Sequence, residues 1–189
     1  MDSFTLDAEP PIGFEKKEFP NLQLIEVMNL SIVSISFSNT IFPKFKKLVL
    51  KKLNMKIPNV GESRFCESQN IRLIALQQDQ IFAVFERKSN YPINEIKSIF
   101  GDECYYSDQS DSWSLTTISG KNTINALERI CPLNLKIDNF KVGDAHRTSM
   151  EHIGVIILRI NIYEFLLFSP RSSSNSFFHA LITSAENIS

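Results

Sequence analysis

Few residues in this chain have types and spacings that suit chemistry. Three histidines, His146, His152 and His179, are the candidates for metal ligation or acid–base work near neutral pH. His146 and His152 lie six apart in or before a segment that reads as a strand, where an even spacing puts both on one face. No neighbouring cysteine or carboxylate cluster completes four ligands, so they read as surface or partner-contact imidazoles rather than a metal site. Glu151 beside His152 suggests a dyad, but neighbours on a strand point to opposite faces. Cys66, Cys104 and Cys131 are widely spaced and form no CxxC, which excludes a zinc knuckle or thioredoxin motif. Cys131 precedes Pro132 at a predicted helix end, where the dipole disfavours a thiolate, so it reads as a small core residue. Lys44, Lys46, Lys47, Lys51, Lys52 and Lys56 sit opposite an apolar stripe and read as a solvated face rather than an RNA patch. Arg171-Ser172-Ser173-Ser174 opens the last predicted helix. Its free N–H groups suit an anion, and plain capping explains the serines equally well.

The motifs that cofactor enzymes advertise are missing from the sequence. There is no GxGxxG, GxxxxGK[ST], HExxH, GxSxG or SxxK. Twenty Lys+Arg against twenty-one Asp+Glu leave a net charge of −1, which argues against general nucleic-acid binding. The N-terminal MDSFTLDAEPP is acidic and unlike a secretory signal. Apolar runs such as Ile153–Leu158 fall far short of the roughly 20 residues of a membrane helix. These features set the expectation of a soluble, cytoplasmic protein. With 189 residues and 43% hydrophobic content, the chain can bury a sizeable core without staples.

The elements that must position these residues come in a repeat. LNMKIPNVG at 53–61 returns as LNLKIDNFKVG at 133–143, and FAVF at 82–85 returns as FLLF at 165–168. The offset grows slowly along the copy, as in an old duplication of about 80 residues. In the first copy, Leu30–Phe37 alternates apolar residues with serine and predicts a strand. Thr40–Leu53 predicts a helix with Ile41, Phe45, Leu48, Val49 and Leu53 on one face and Pro43 in its first turn. Ile71–Leu76 and Ile81–Phe85 predict a hairpin, Asn94–Phe100 a helix and Glu103–Gln109 a closing strand. The second copy reads as a strand at Trp113–Ile118, a helix at Asn122–Ile130 and a hairpin at Met150–Ile160 and Tyr163–Phe168. A final helix follows at Ser173–Asn187. The expected architecture is α+β: two pseudo-symmetric β-α-β-β-α units, of the split βαβ or ferredoxin-like kind, packed as one body. Residues 1–21 read as an arm and 22–189 as one domain, with repeat one at about 22–107 and repeat two at about 108–189.

Four segments carry a resemblance. They are Asp108–Trp113 (DQSDSW), Leu127–Leu135 (LERICPLNL), Arg147–Val155 (RTSMEHIGV) and Pro170–Phe177 (PRSSSNSF). Together, in this order and spacing, the second copy resembles the gamma subunit of heterotetrameric sarcosine oxidase. That family is similar in turn to the folate-binding body of the aminomethyltransferases. The resemblance covers about residues 104–187 best, and Asn134 departs from it where an acidic residue is expected. It implies membership of a complex that oxidises sarcosine to glycine, hydrogen peroxide and a one-carbon unit. It also implies that alpha and beta subunits carry NAD, FAD, FMN and the tetrahydrofolate site, and that a delta subunit binds zinc. This chain would then hold no cofactor and no catalytic residue, and would serve assembly. Arg147, His152 and Arg171 are the candidate partner or anion contacts, and nucleic acid and membrane are not expected partners. The alternative is a free-standing folate-binding or one-carbon-transfer protein, in which Arg147 or Arg171 would hold a glutamate tail bidentately. Part of a Phe-rich surface is expected to form the subunit interface.

Overall fold

The computed structural model describes residues 9–188. Lys16–Phe19 (β1) and Leu22–Glu26 (β2) form a hairpin whose turn places Asn21 at φ 56°. Asparagine tolerates this left-handed conformation better than most residues. The segment ahead of the hairpin is fastened to β2 from within the chain. The buried Glu26 carboxylate accepts the N–H groups of Ile12 (2.9 Å) and Phe14 (2.8 Å). The first eight residues of the expected arm lie outside the described residues.

The first copy runs β3 (Leu30–Ser36), α1 (Phe42–Leu53), β4 (Glu62–Cys66), β5 (Ile71–Ala75), β6 (Gln80–Glu86), α2 (Pro92–Phe100) and β7 (Tyr105–Asp108). The second runs β8 (Trp113–Ser119), α3 (Thr123–Glu128), β9 (Ala145–Met150), β10 (Ile153–Asn161), β11 (Glu164–Pro170) and α4 (Ser174–Glu186). Pro43 stands at the start of α1, and Asn54 ends it at φ 50°. Phe45, Val49 and Leu53 bury the apolar face. The strands form a five-stranded sheet, β4-β5-β6-β3-β7, and a six-stranded sheet, β1-β2-β8-β11-β10-β9. Within the first, β5-β6-β3-β7 with α1 and α2 is the ferredoxin-like arrangement. In the second, the place of β7 is taken by β2, which pairs antiparallel with β8 as β7 does with β3. A strand from ahead of the first copy therefore completes the sheet of the second. The sequence pattern did not expose β1, β2, β4 or β9, because all are short and β1 and β9 are largely polar.

The two sheets lie face to face with helices outside. On β3, Val33 and Ile35 pack towards α1 and α2, whereas Ile32 packs between the sheets. On β10, Val155 and Ile157 face α3 and α4, whereas Ile156 and Leu158 meet the other sheet. Strands buried on both faces read as nearly continuous apolar runs, which explains VIIL at 155–158 and FLLF at 165–168.

The repeated glycines meet where the copies join. Ser63 N–H donates to Gly143 O (2.6 Å) and Ala145 N–H donates to Gly61 O (2.8 Å), a pseudo-twofold pair of bonds. Gly61 N–H reaches Ala75 O and Gly143 N–H reaches Arg159 O, so Ala75 and Arg159 are structural counterparts. The same matching holds for Ile81 and Phe165, which pair with Ala75 and Arg159 respectively. FAVF and FLLF are thus one residue out of register with their sequence likeness. Phe82 lies between the sheets, whereas Phe165 lies on the helix side. A one-residue slip reverses the face of every side chain, and only the pleat reveals it.

Gly120, just past β8, has φ +121°, and a Cβ there would clash with the main-chain oxygen of Asn21. It lets the turn between β1 and β2 lie against the end of β8. Gly120→Ala is expected to destabilise the fold by about 3 kcal/mol or more, through backbone strain and a clash with main chain. Urea unfolding checks this, and a change under about 0.5 kcal/mol, the ordinary range of surface substitutions, would refute the packing role assigned to this glycine.

Candidate functional site

Arg147 stands out among the residues singled out from the sequence. It lies on β9 opposite Ile156, on the face that meets the other sheet, and its side chain is exposed. Its guanidinium sits 5.8 Å from the Trp113 ring centre and 5.9 Å from that of Phe82. Phe82, Trp113 and Phe168 form an edge-to-face series at 6.3 and 6.4 Å. A cation over desolvated aromatic faces is attracted by the ring quadrupoles. Among the described residues no carboxylate pairs with Arg147. The site thus presents a guanidinium on an aromatic platform at the rim between the sheets, suited to a carboxylate or another acidic group. The platform residues Trp113 and Phe82 were not singled out in the sequence, since they lie 31 residues apart in different sheets and meet only through the sheet-to-sheet packing.

Arg171 is placed differently. It opens a short 3-10 turn, Arg171–Ser173, ahead of α4, and its Nη2 donates to Glu9 O (2.7 Å). Ser174 Oγ donates to Arg171 O (2.9 Å) and lies 3.3 Å from Pro11 O. These contacts tie the N-terminal segment to the start of α4. No serine hydroxyl caps α4, so the capping expected of these serines gives way to a 3-10 entry. A cavity of about 100 Å³ beside Arg171 is also lined by Arg87, Trp113 and Ser114. Trp113 Nε1 and Ser114 Oγ are buried there without partners among the described residues.

His152 is not on a strand. Met150 ends β9 and Ile153 begins β10, so Glu151 (φ 47°) and His152 (φ 66°) form the two-residue turn between them. Both residues at positive φ match the twist that tight hairpins require. The expected shared face of His146 and His152 is therefore overturned. Glu151 and His152 fail to form a dyad because they turn the chain at an exposed tip, not because they oppose each other across a strand. His146 packs beside Phe140 at 5.4 Å and against Gly61. His179 lines a cavity of about 400 Å³ that Glu151 also borders. Among the described residues no group of three metal-ligating side chains forms.

The three cysteines are free and buried. Burial pushes the Cys104 and Cys131 thiols above their ordinary value, and burial also raises Tyr106, whose hydroxyl donates to Gly101 O (2.7 Å). Of the lysines, Lys44 pairs with Glu103 at 3.3 Å and Lys46 lies over Phe42. The expected Phe-rich surface is not observed. Among the described residues most phenylalanines are in the cores, and of them only Phe14 and Phe65 stand among the large exposed apolar residues. Arg159 was missed at the sequence level. It is fully buried on β10 and donates to the carbonyls of Leu135, Phe140 and Ile162. A charge inside the run VIILRI was its signal.

With this geometry in hand, likeness to known proteins defines the fold. No family model and no curated sequence matches the chain. Among solved structures it is similar to a chain of the heterotetrameric sarcosine oxidase from Corynebacterium sp. U-96, with a TM-score of 0.75 and 19% identity. That match covers 88% of this chain and 84% of the other. It is also similar to the glycine cleavage system aminomethyltransferase T from Bartonella henselae, with a TM-score of 0.63 and 13% identity. There it spans 86% of this chain and 45% of the other. The fold is thus the mixed α+β body with two antiparallel sheets seen in the aminomethyltransferase folate-binding-like proteins. Among the described residues no helix is long and apolar enough to cross a membrane.

Two outcomes follow from the site chemistry. Trp113 is the only tryptophan, so its emission reports directly on Arg147. Arg147→Met is expected to shift the emission maximum and to lower stability by about 0.5–1 kcal/mol; identical spectra would show that the guanidinium does not engage the ring. Secondly, thiols and a phenol whose folded-state pKa is raised hold stability that is fully present below the unfolded values. It is lost as pH rises past about 8.5 for cysteine and about 10 for tyrosine. Urea midpoints measured from pH 7 to 10.5 are expected to fall on the alkaline side, and Cys104→Ala with Cys131→Ala is expected to flatten the first part of that fall.

Proposed function

We propose that this chain is a non-catalytic, gamma-type structural subunit of a heterotetrameric sarcosine oxidase complex in the cytoplasm. The observation that carries the reading is the nearly whole-length match in both directions to a chain of the Corynebacterium oxidase. In this reading the chain packs against alpha, beta and delta subunits, and binds neither nucleic acid nor membrane. It holds no cofactor itself, and FAD, FMN, NAD, tetrahydrofolate and zinc reside on the other subunits. Repeat one and repeat two then form one domain behind the N-terminal arm. The candidate contacts are Arg147, His152 and Arg171. Arg147 and His152 project from the β9–β10 hairpin, and Arg171 stands at the start of α4.

A second reading is a free-standing folate-binding or one-carbon-transfer protein, favoured by the likeness to aminomethyltransferase T. The chain spans less than half of that protein.

Co-expression with large oxidase subunits decides between them. The first reading expects a stable complex by size-exclusion chromatography, weakened by Arg147→Glu or Arg171→Glu while the isolated chain keeps its fold. A chain that never co-purifies, yet binds reduced folate saturably at micromolar concentration, would replace the first reading with the second.

A further inference from the structure

The two copies also differ where their β-hairpins turn. In the second copy the Arg159 guanidinium fills the space between β10, the β10–β11 turn and the loop before β9. Its Nη2 reaches Ile162 O at 2.6 Å, its Nη1 reaches Leu135 O at 3.0 Å, and it lies 4.9 Å from the Phe165 ring centre. The matching positions in the first copy are smaller. Ala75 replaces Arg159, Ile81 replaces Phe165 and Pro58 replaces Phe140, as the pairings with Gly61, Gly143 and the neighbouring strands require. Where the second copy is plugged, the first holds an open cavity of about 650 Å³, bordered by Ala75, Ile81 and Pro58. That volume lies within the range of small-molecule sites.

The lining gives the chemistry of an occupant. Lys46, Lys56 and Arg64 are cationic, and no carboxylate stands among the lining residues. Arg64 lies 3.8 Å from Glu62, whose carboxylate is itself held by Asn59. Lys46 and Lys56 make no ion pair among the described residues. One wall is aromatic, with Phe42 stacked on Phe37 at 5.0 Å. The positive charge that fills the sister site from within stands here on the rim. We propose that the first copy carries a binding site for an organic anion with a planar apolar body. The anion is held by Lys46, Lys56 and Arg64, and the planar body lies in the space that an arginine plugs in the second copy. Two lysines without ion pairs beside an apolar, partly enclosed floor favour such a ligand, because charge-assisted contacts strengthen as water is excluded.

The probe that tests this is 8-anilinonaphthalene-1-sulfonate, a planar arylsulfonate, titrated into the full chain by fluorescence and followed by amide NMR. Saturable binding at one site is expected, with the largest amide shifts at Ala75 and Gln77. Ala75→Arg restores the sister's plug and is expected to abolish that binding. Lys46→Gln with Lys56→Gln leaves the core untouched and is expected to weaken it about ten-fold or more, the loss of at least one charge-assisted contact. Shifts that map elsewhere, absence of saturable binding, or an affinity unchanged in the folded lysine double variant would each overturn the proposal.

Discussion

The structure depends on one packing constraint: two sheets bury their inner faces against each other while their outer faces bury helices. Ile32, Ile74, Phe82, Leu115, Ile156, Leu158, Leu166 and Phe168 belong to that inner layer. Each such side chain contributes roughly 1.5–3 kcal/mol when fully removed from water. Neither copy can leave this layer without exposing it. The two halves are therefore one body by physical necessity, although each has its own outer core against its own helices. The glycine-centred bonds between Ser63 and Gly143, and between Ala145 and Gly61, then fix how the halves meet at one end.

Symmetry imposed by the inner layer leaves the edges free to diverge. The edge strand β7 of the first sheet follows α2, whereas its counterpart in the second is β2, drawn from ahead of the first copy. The buried Glu26 and the tie from Arg171 hold the segment that leads into it. The hairpin turns diverge too, with a fully buried arginine satisfied by carbonyls in one copy and an alanine beside an open cavity in the other. A buried cation persists only where its donors are met, which is why Arg159 is surrounded by loop carbonyls. Divergence of this kind is how a duplicated scaffold acquires one closed half and one open half.

The elements with strong periodicity were legible in the sequence. Both helix pairs, the central strands and the duplication follow from apolar spacing and from Pro43, Pro92 and Pro132 as punctuation. The short strands β1, β2, β4 and β9 were not: β1, β4 and β9 lie at sheet edges and leave most of their residues at least partly exposed, and β2 pairs with β8, far away in the chain. For the candidate site, Arg147 was legible as an unusual residue but its aromatic platform was not. His152 was misplaced because a tight turn at Glu151–His152 carries neither glycine nor asparagine to announce it.

The sequence by itself determined the composition of the core, the α+β class and the existence of two copies, since these rest on local periodicity and burial. Tertiary structure alone decided the register between copies, the borrowed strand β2, the cation over Trp113 and Phe82, and the contrast between Arg159 and Ala75. The physical reason is separation. Pleat direction, edge pairing and the satisfaction of a buried charge are set by groups distant in sequence, and those groups meet only once the two sheets have closed on each other.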